Sequence, residues 1–140
     1  MVSETLKAAT KDSLKKAVGH LKYSYDKVQK NNLLKKSEWT EEQLEILESF
    51  SSRFARASDL FISKYLRLLA LETDPAYRGT LIDLLNLAEK MNWISSAKQW
   101  SRIRELRNVA AHEYTEEDLR ALYQEIFRLS DLVLSVSKLL

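Results

Sequence analysis

Apolar residues recur at intervals of three and four along most of this chain, the spacing that places them on one face of an α-helix. With two glycines and one proline in 140 residues, the sequence has little of the turn chemistry that β-hairpins require. An all-α fold is therefore predicted. The first helix is expected from about Thr5 to Gln29, with an inward stripe of Leu14, Ala17, Leu21, Tyr25 and Val28.

A second, longer helix is predicted to begin after Thr40. Thr40 and Gln43 have the spacing of a capping box, in which each side chain accepts a hydrogen bond from the other residue's backbone amide. Pro75 marks the end of this helix just after Thr73, because proline cannot continue it. The residues expected to face the core are Leu47, Phe50, Phe54, Ala57, Phe61, Tyr65 and Leu68.

Two shorter helices follow in the pattern. Thr80 precedes a third helix, from Leu81 to about Lys90. Either Ser95 or Ser96 is a suitable N-cap for a fourth helix, which we expect to end close to His112.

The last helix is predicted to begin after Thr115, a good N-cap that three carboxylates follow in the first turn. Its apolar positions form an unbroken seam that suits a bundle core or a partner helix: Leu119, Leu122, Ile126, Leu129, Val133, Val136 and Leu140. We expect one domain over residues 1–140, an up-and-down bundle of about five helices.

The composition narrows the class of protein. The chain has no cysteine, no apolar stretch long enough to span a bilayer and no signal-peptide pattern at its start, so a soluble cytoplasmic protein is expected. Four-helix carboxylate metal centres need a glutamate three residues before a histidine, and neither His20 nor His112 has one. No metal or other cofactor is expected.

A net charge of +2 is too small to indicate nucleic-acid binding through the overall field, so any RNA affinity must come from local clusters. One cluster, Lys98, Arg102, Arg104 and Arg107, is predicted to contact RNA phosphates; surface charge paired with nearby glutamates is the alternative. A second cluster is more typical of a solvated helical face: Lys15, Lys16, Lys22, Lys27, Lys30, Lys35 and Lys36.

The first cluster leads into a short motif of Arg107, Asn108, His112 and Tyr114. A guanidinium is a permanently charged, forked donor for phosphate oxygens, and histidine exchanges protons near neutral pH. Chance spacing predicts about 0.02 such Arg, His and Tyr combinations in a chain of this composition. Each residue also has a simpler interpretation, since His112 suits a helix C-terminus and Tyr114 suits packing over a helix end.

The motif resembles the Arg-x4-6-His signature of the HEPN superfamily. In its Arg-x4-His-x-Tyr form it is similar to HEPN toxins encoded beside minimal nucleotidyltransferase antitoxins. The resemblance implies a metal-independent endoribonuclease that acts on RNA as a homodimer, with Arg107, Asn108 and His112 at its catalytic site. It also implies that the antitoxin modifies Tyr114 with AMP.

Two other functions stay open at this stage. A HEPN-like domain of this kind also resembles non-catalytic nucleotide- or substrate-binding subunits of nucleotidyltransferases, in which the seam of the last helix would dock the partner. A helical interaction protein without either activity is the third possibility. We expect the ribonuclease of a toxin–antitoxin pair.

Overall fold

The computed structural model describes residues 3–107 and 115–140, and within these ranges the chain is an all-helical bundle without strands, as predicted. Asn108, His112 and Tyr114 lie outside the described residues. In the part of the chain that is described, no helix is both long enough and apolar enough to cross a membrane.

Helix α1 spans Glu4–Lys30 and begins one residue earlier than predicted. The reason is Ser3, whose hydroxyl accepts a hydrogen bond from the Leu6 amide at 3.0 Å and so caps the helix. The predicted stripe is buried, except that Tyr25 lies half-buried and stacks its ring on Phe127 at 4.4 Å between centroids.

The predicted second helix is present as one continuous rod made of α2 (Glu41–Asp59), a π-helix (Leu60–Leu66) and α3 (Arg67–Thr73). The capping box of Thr40 and Gln43 is confirmed, with hydrogen bonds of 3.2 and 3.0 Å. All seven residues predicted to face the core are buried. The sequence did not indicate the π-helix, because a wider turn changes the spacing of apolar residues too little to be read.

Helix α4 spans Leu81–Lys90 and helix α5 spans Ala97–Arg107, and a hydrogen bond connects the end of α4 to the start of α5. Ser96, one of the two predicted N-caps, accepts from the Gln99 amide at 3.2 Å. The Ala97 amide donates to the Glu89 carboxylate of α4 at 2.8 Å. The described part of α5 ends at Arg107, so its predicted end near His112 lies outside the described residues.

Helix α6 spans Glu116–Ser135 and continues as a short 3-10 turn, Val136–Leu139. Thr115 is its N-cap, as predicted, and accepts from the Asp118 amide at 3.2 Å. The apolar seam is used inside this chain: Leu119 and Leu140 pack at its ends and the other five residues are buried in the core. It therefore lines the bundle core and is not a surface for a partner helix.

The connection between α1 and α2 is anchored to α6 through Trp39. Its indole nitrogen donates to the Leu33 carbonyl at 2.7 Å, and the Arg120 guanidinium lies 4.2 Å from the centre of its ring. Trp39 is thus a residue of the bundle end, and Trp100 is a core residue.

The two glycines should respond to alanine in opposite directions. A β-carbon at Gly19, within α1, meets no atom within 4 Å, whereas one at Gly79 collides with the Tyr77 ring and lies 2.9 Å from the Asp83 β-carbon. Gly19→Ala should raise the free energy of unfolding by up to about 1 kcal/mol, because glycine is a poor helix former. Gly79→Ala should lower it. Urea unfolding followed by circular dichroism measures both; a destabilising Gly19→Ala would contradict the open surroundings of that residue.

Candidate functional site

Helix α5 carries the arginine of the motif, and its buried face fixes the helix in the bundle. Trp100, Ile103 and Leu106 are all buried, and α5 packs against α2, α4 and α6. The Trp100 ring lies 4.7 Å from that of Phe61, in the π-helix. These contacts fix the position of α5 in the bundle.

Arg107 forms an ion pair with Asp59, the last residue of α2. Arg107 Nη2 lies 3.2 Å from Asp59 Oδ2, and each side chain is about one third exposed, at 36% and 35%. The other carboxylate oxygen accepts from the Ser63 hydroxyl at 3.4 Å. The arginine of the motif is thus bound to an acidic residue at the junction between α2 and the π-helix.

Arg102 is directed toward α6 instead. Its Nε and Nη2 donate to the two oxygens of Glu125 at 2.8 and 2.6 Å, a bidentate pair, and its Nη1 donates to Glu105 at 2.9 Å. These hydrogen bonds raise the pKa of Arg102, and the Arg102 guanidinium lowers the pKa of the Glu125 carboxyl.

The predicted phosphate-binding cluster is therefore divided between two sides of α5. At about 100° per residue, Arg102 lies roughly 140° around the helix from Arg107. Lys98 is exposed and lies one turn before Arg102, whereas Arg104 is half-buried and lies one turn before Arg107. The structure brings Arg107 close to Asp59 and directs Arg102 to two glutamates.

The remaining motif residues, Asn108, His112 and Tyr114, lie outside the described residues. Arg107 is the last described residue before them, and Thr115, the cap of α6, is the first one after them. In the sequence, the motif residues Asn108, His112 and Tyr114 therefore lie between the last described residue of α5 and the N-cap of α6.

The other candidate residues of the sequence lie outside the region around Arg107. His20 is exposed on α1, and its carbonyl oxygen accepts from Arg53 at 3.2 Å. The seven lysines of the second cluster, from Lys15 to Lys36, are exposed, as expected for a solvated face. Within residues 3–107 and 115–140, no group of three or more histidine, aspartate or glutamate side chains is placed to hold a metal ion.

Sequence reasoning missed Asp59 and Ser63. Asp59 is 48 residues from Arg107 along the chain, so no local spacing connects them. The only signal was Asp59 itself, an acidic residue halfway along the predicted second helix. This signal does not identify Arg107 as its partner.

Comparison of the chain with protein-family models, with curated proteins and with solved structures gave no significant match. An assignment of function therefore depends on the residues of the site and on the resemblance of its motif.

The pair of Arg102 and Glu125 predicts a specific response to acid. Because the pKa of Glu125 is lowered in the folded protein, its contribution to stability is present above the pKa of a free glutamate, about 4.3, and is lost as pH falls through the folded-state pKa. Glu125→Gln should lower the free energy of unfolding at pH 7 by less than about 1 kcal/mol, since the pair is partly exposed.

Between about pH 5 and pH 3, the free energy of unfolding of Glu125→Gln should fall less than that of the parent. Urea unfolding at a series of pH values measures this difference, and Glu38→Gln, at an exposed residue outside the helices, serves as the control. Equal acid sensitivity in the parent and in Glu125→Gln would contradict the role given to this pair.

Proposed function

We propose that this protein is a metal-independent endoribonuclease of the HEPN type, in which His112 transfers protons and Arg107 stabilises the charge on the phosphate. The observation that carries the proposal is the ion pair between Arg107 and Asp59. It fixes the guanidinium of the motif on a packed helix, and Arg107 precedes His112 by five residues in the sequence.

An ion pair with a carboxylate is compatible with binding a phosphate. A guanidinium has five N–H donors on different edges of one plane, so a carboxylate on one edge sets the direction of the others. Asp59 contacts Arg107 through Nη2. In the proposed enzyme Asp59 is a positioning residue, which orients Arg107 and does not touch the RNA.

The reaction follows from the two side chains. A neutral His112 removes the proton of a ribose 2′-hydroxyl, and the resulting oxyanion attacks the adjacent phosphorus. Arg107 stabilises the negative charge that develops on the non-bridging oxygens. The bond to the departing 5′-oxygen breaks as an acid protonates that oxygen, which leaves a 2′,3′-cyclic phosphate and a 5′-hydroxyl. Asn108 orients the phosphate or the imidazole.

A second proton-transfer group is needed for the departing oxygen. The motif has one histidine per chain, so His112 of a second copy across a two-fold axis is the simplest source. A homodimer with two motifs at its interface is therefore part of the proposal. The seam of α6 is buried, so the dimer has to form through other surfaces.

The buried seam also bears on the choice of function. A non-catalytic subunit was expected to dock its nucleotidyltransferase through that seam, and its residues are instead in the core of this chain. The enzyme interpretation does not require the seam to be exposed. We therefore favour the ribonuclease of a toxin–antitoxin pair, restrained by a minimal nucleotidyltransferase that adenylates Tyr114.

Four substitutions test the catalytic assignment. Arg107→Ala and His112→Ala should each lower RNA cleavage in EDTA by about a hundredfold or more. Asp59→Asn should lower kcat by about tenfold to a hundredfold, because Arg107 loses its orientation, while Asp59→Glu should restore part of the rate. Asp59→Asn should lower the free energy of unfolding by less than about 1 kcal/mol, because the ion pair that it breaks is partly exposed.

Asp12→Asn is the matched control for Asp59→Asn, because Asp12 is an exposed aspartate on α1 whose ion pair is with Lys16. Initial rates with a labelled RNA give kcat and KM for each variant. If Asp59→Asn cuts at the parent's rate, the positioning role is wrong; if His112→Ala does so, the whole catalytic assignment is wrong.

Regulation through Tyr114 has its own test. Incubation with a minimal nucleotidyltransferase encoded beside this protein, ATP and magnesium should add one or more AMP groups to the peptide that contains Tyr114. The added phosphate places negative charge two residues from His112 and should repel RNA, so cleavage falls. Tyr114→Phe should cut RNA and escape inhibition. Mass spectrometry detects the modification; an unmodified Tyr114 beside an active partner would remove this form of regulation.

A further inference from the structure

Tyr23 is a large aromatic residue that the core does not use. Its side chain lies on the outer side of α1 and is 63% exposed. Two cations lie near its ring, Lys27 Nζ at 5.9 Å and the Arg53 guanidinium carbon at 5.8 Å from the centroid. An exposed ring beside cations is the arrangement on which nucleobases stack in single-strand binding proteins.

Two cavities meet at this ring. The first, of about 290 Å³, lies between α1 and α2 and is lined by Tyr23, Ser24, Lys27, Glu42, Glu45, Ile46, Ser49 and Arg53. The second, of about 340 Å³, lies toward the end of α1 and is lined by Tyr23, Asp26, Lys27, Lys30 and Asn31. Since Tyr23 and Lys27 line both, a ligand that crosses the ring contacts both cavities.

Arg53 is held in place before any ligand arrives. Its Nη1 donates to the Ser24 hydroxyl at 2.9 Å and to the His20 carbonyl at 3.2 Å. A cation fixed in this way loses less side-chain entropy on binding than an unrestrained one.

The two cavities differ in charge. The first contains two carboxylates, Glu42 and Glu45, and two cations, Arg53 and Lys27. The second contains two ammonium groups, those of Lys27 and Lys30. Its one carboxylate, Asp26, pairs with Lys22 at 2.7 Å and is partly neutralised. The complementary ligand has a flat ring, hydrogen-bond donors on one side of it and an anion on the other.

We infer that one nucleotide unit binds across Tyr23. Its base stacks on the Tyr23 ring, and its phosphate lies between Lys27 and Lys30. Its exocyclic amino group donates to Glu42 and Glu45, which favours adenine over uracil because uracil has no amino group.

This site is distinct from the one around Arg107. Arg53 contacts α1, whereas Asp59 of the same helical rod contacts Arg107 of α5, so the two sites lie on different sides of α2. The nucleotide has two possible sources, a free mononucleotide or a residue of an RNA strand. Only the second source rests on the proposed ribonuclease function, for which this site would hold RNA away from the point of cleavage.

Calorimetry with 5′-AMP and 5′-UMP tests the site without any cleavage. AMP should bind more tightly than UMP, and the double variant Glu42→Gln/Glu45→Gln should remove that preference. Tyr23→Ala should weaken AMP binding by about tenfold, the size of a lost stacking contact, while Tyr23→Phe should retain it.

Lys27→Gln should also weaken AMP binding, and Lys16→Gln is the matched control, being an exposed lysine of the same helix outside both cavities. Circular dichroism verifies the helicity of every variant. A protein that binds neither nucleotide nor RNA, or a Tyr23→Ala variant that binds as tightly as the parent, overturns the inference. If polyglutamate competes with AMP as well as RNA does, the site binds anions in general and the inference is also overturned.

A second arm separates the two sources. Fluorescence anisotropy follows the binding of a labelled oligoadenylate to the His112→Ala chain, in which the proposed cleavage cannot consume the probe. Tyr23-dependent binding of both probes that is tighter for the oligoadenylate assigns the site to RNA, whereas Tyr23-dependent binding of AMP alone assigns it to free nucleotides. Both results depend on binding alone and are valid even if the parent chain cuts no RNA. A failure of the ribonuclease proposal can therefore be distinguished from a failure of the nucleotide site.

Discussion

The burial of one face of α5 is the constraint on which the candidate site depends. Trp100, Ile103 and Leu106 fix this helix against its neighbours, with Trp100 in contact with Phe61. Core contacts of this size outweigh any surface ion pair, because burying one large side chain contributes roughly 1.5–3 kcal/mol. The backbone position of Arg107 is thus set by packing, and its direction by Asp59.

The ion pair between Arg107 and Asp59 contributes little to stability. Pairs that are about one third exposed are worth at most about 1 kcal/mol, because water screens the charges. Their value to an enzyme is orientation, since a guanidinium that is already aligned does not have to be ordered when a phosphate arrives. The π-helix begins directly after Asp59, and such wide turns are frequent at functional sites.

The sequence allowed prediction of features that depend on near neighbours. The caps Thr40 and Thr115, and Ser96 as one of two candidates, follow from residues nearby in the sequence, and the buried stripes follow from the helical period. Contacts between distant parts of the chain were not predictable, which is why Asp59 was missed and why Arg102 seemed to belong with Arg107. The seam of α6 was ambiguous for the same reason, since its pattern alone does not say which surface covers it.

The motif of Arg107, Asn108, His112 and Tyr114 is visible in the sequence. The central claim is the proposed cleavage of RNA by Arg107 and His112 without a metal. The most direct measurement is the chemical nature of the ends produced when the purified protein cuts RNA in EDTA. Attack by the ribose 2′-hydroxyl predicts a 2′,3′-cyclic phosphate on one fragment and a 5′-hydroxyl on the other, with no requirement for a metal. Fragments with a 5′-phosphate and a 3′-hydroxyl, or cleavage that stops when metal is removed, would contradict the account.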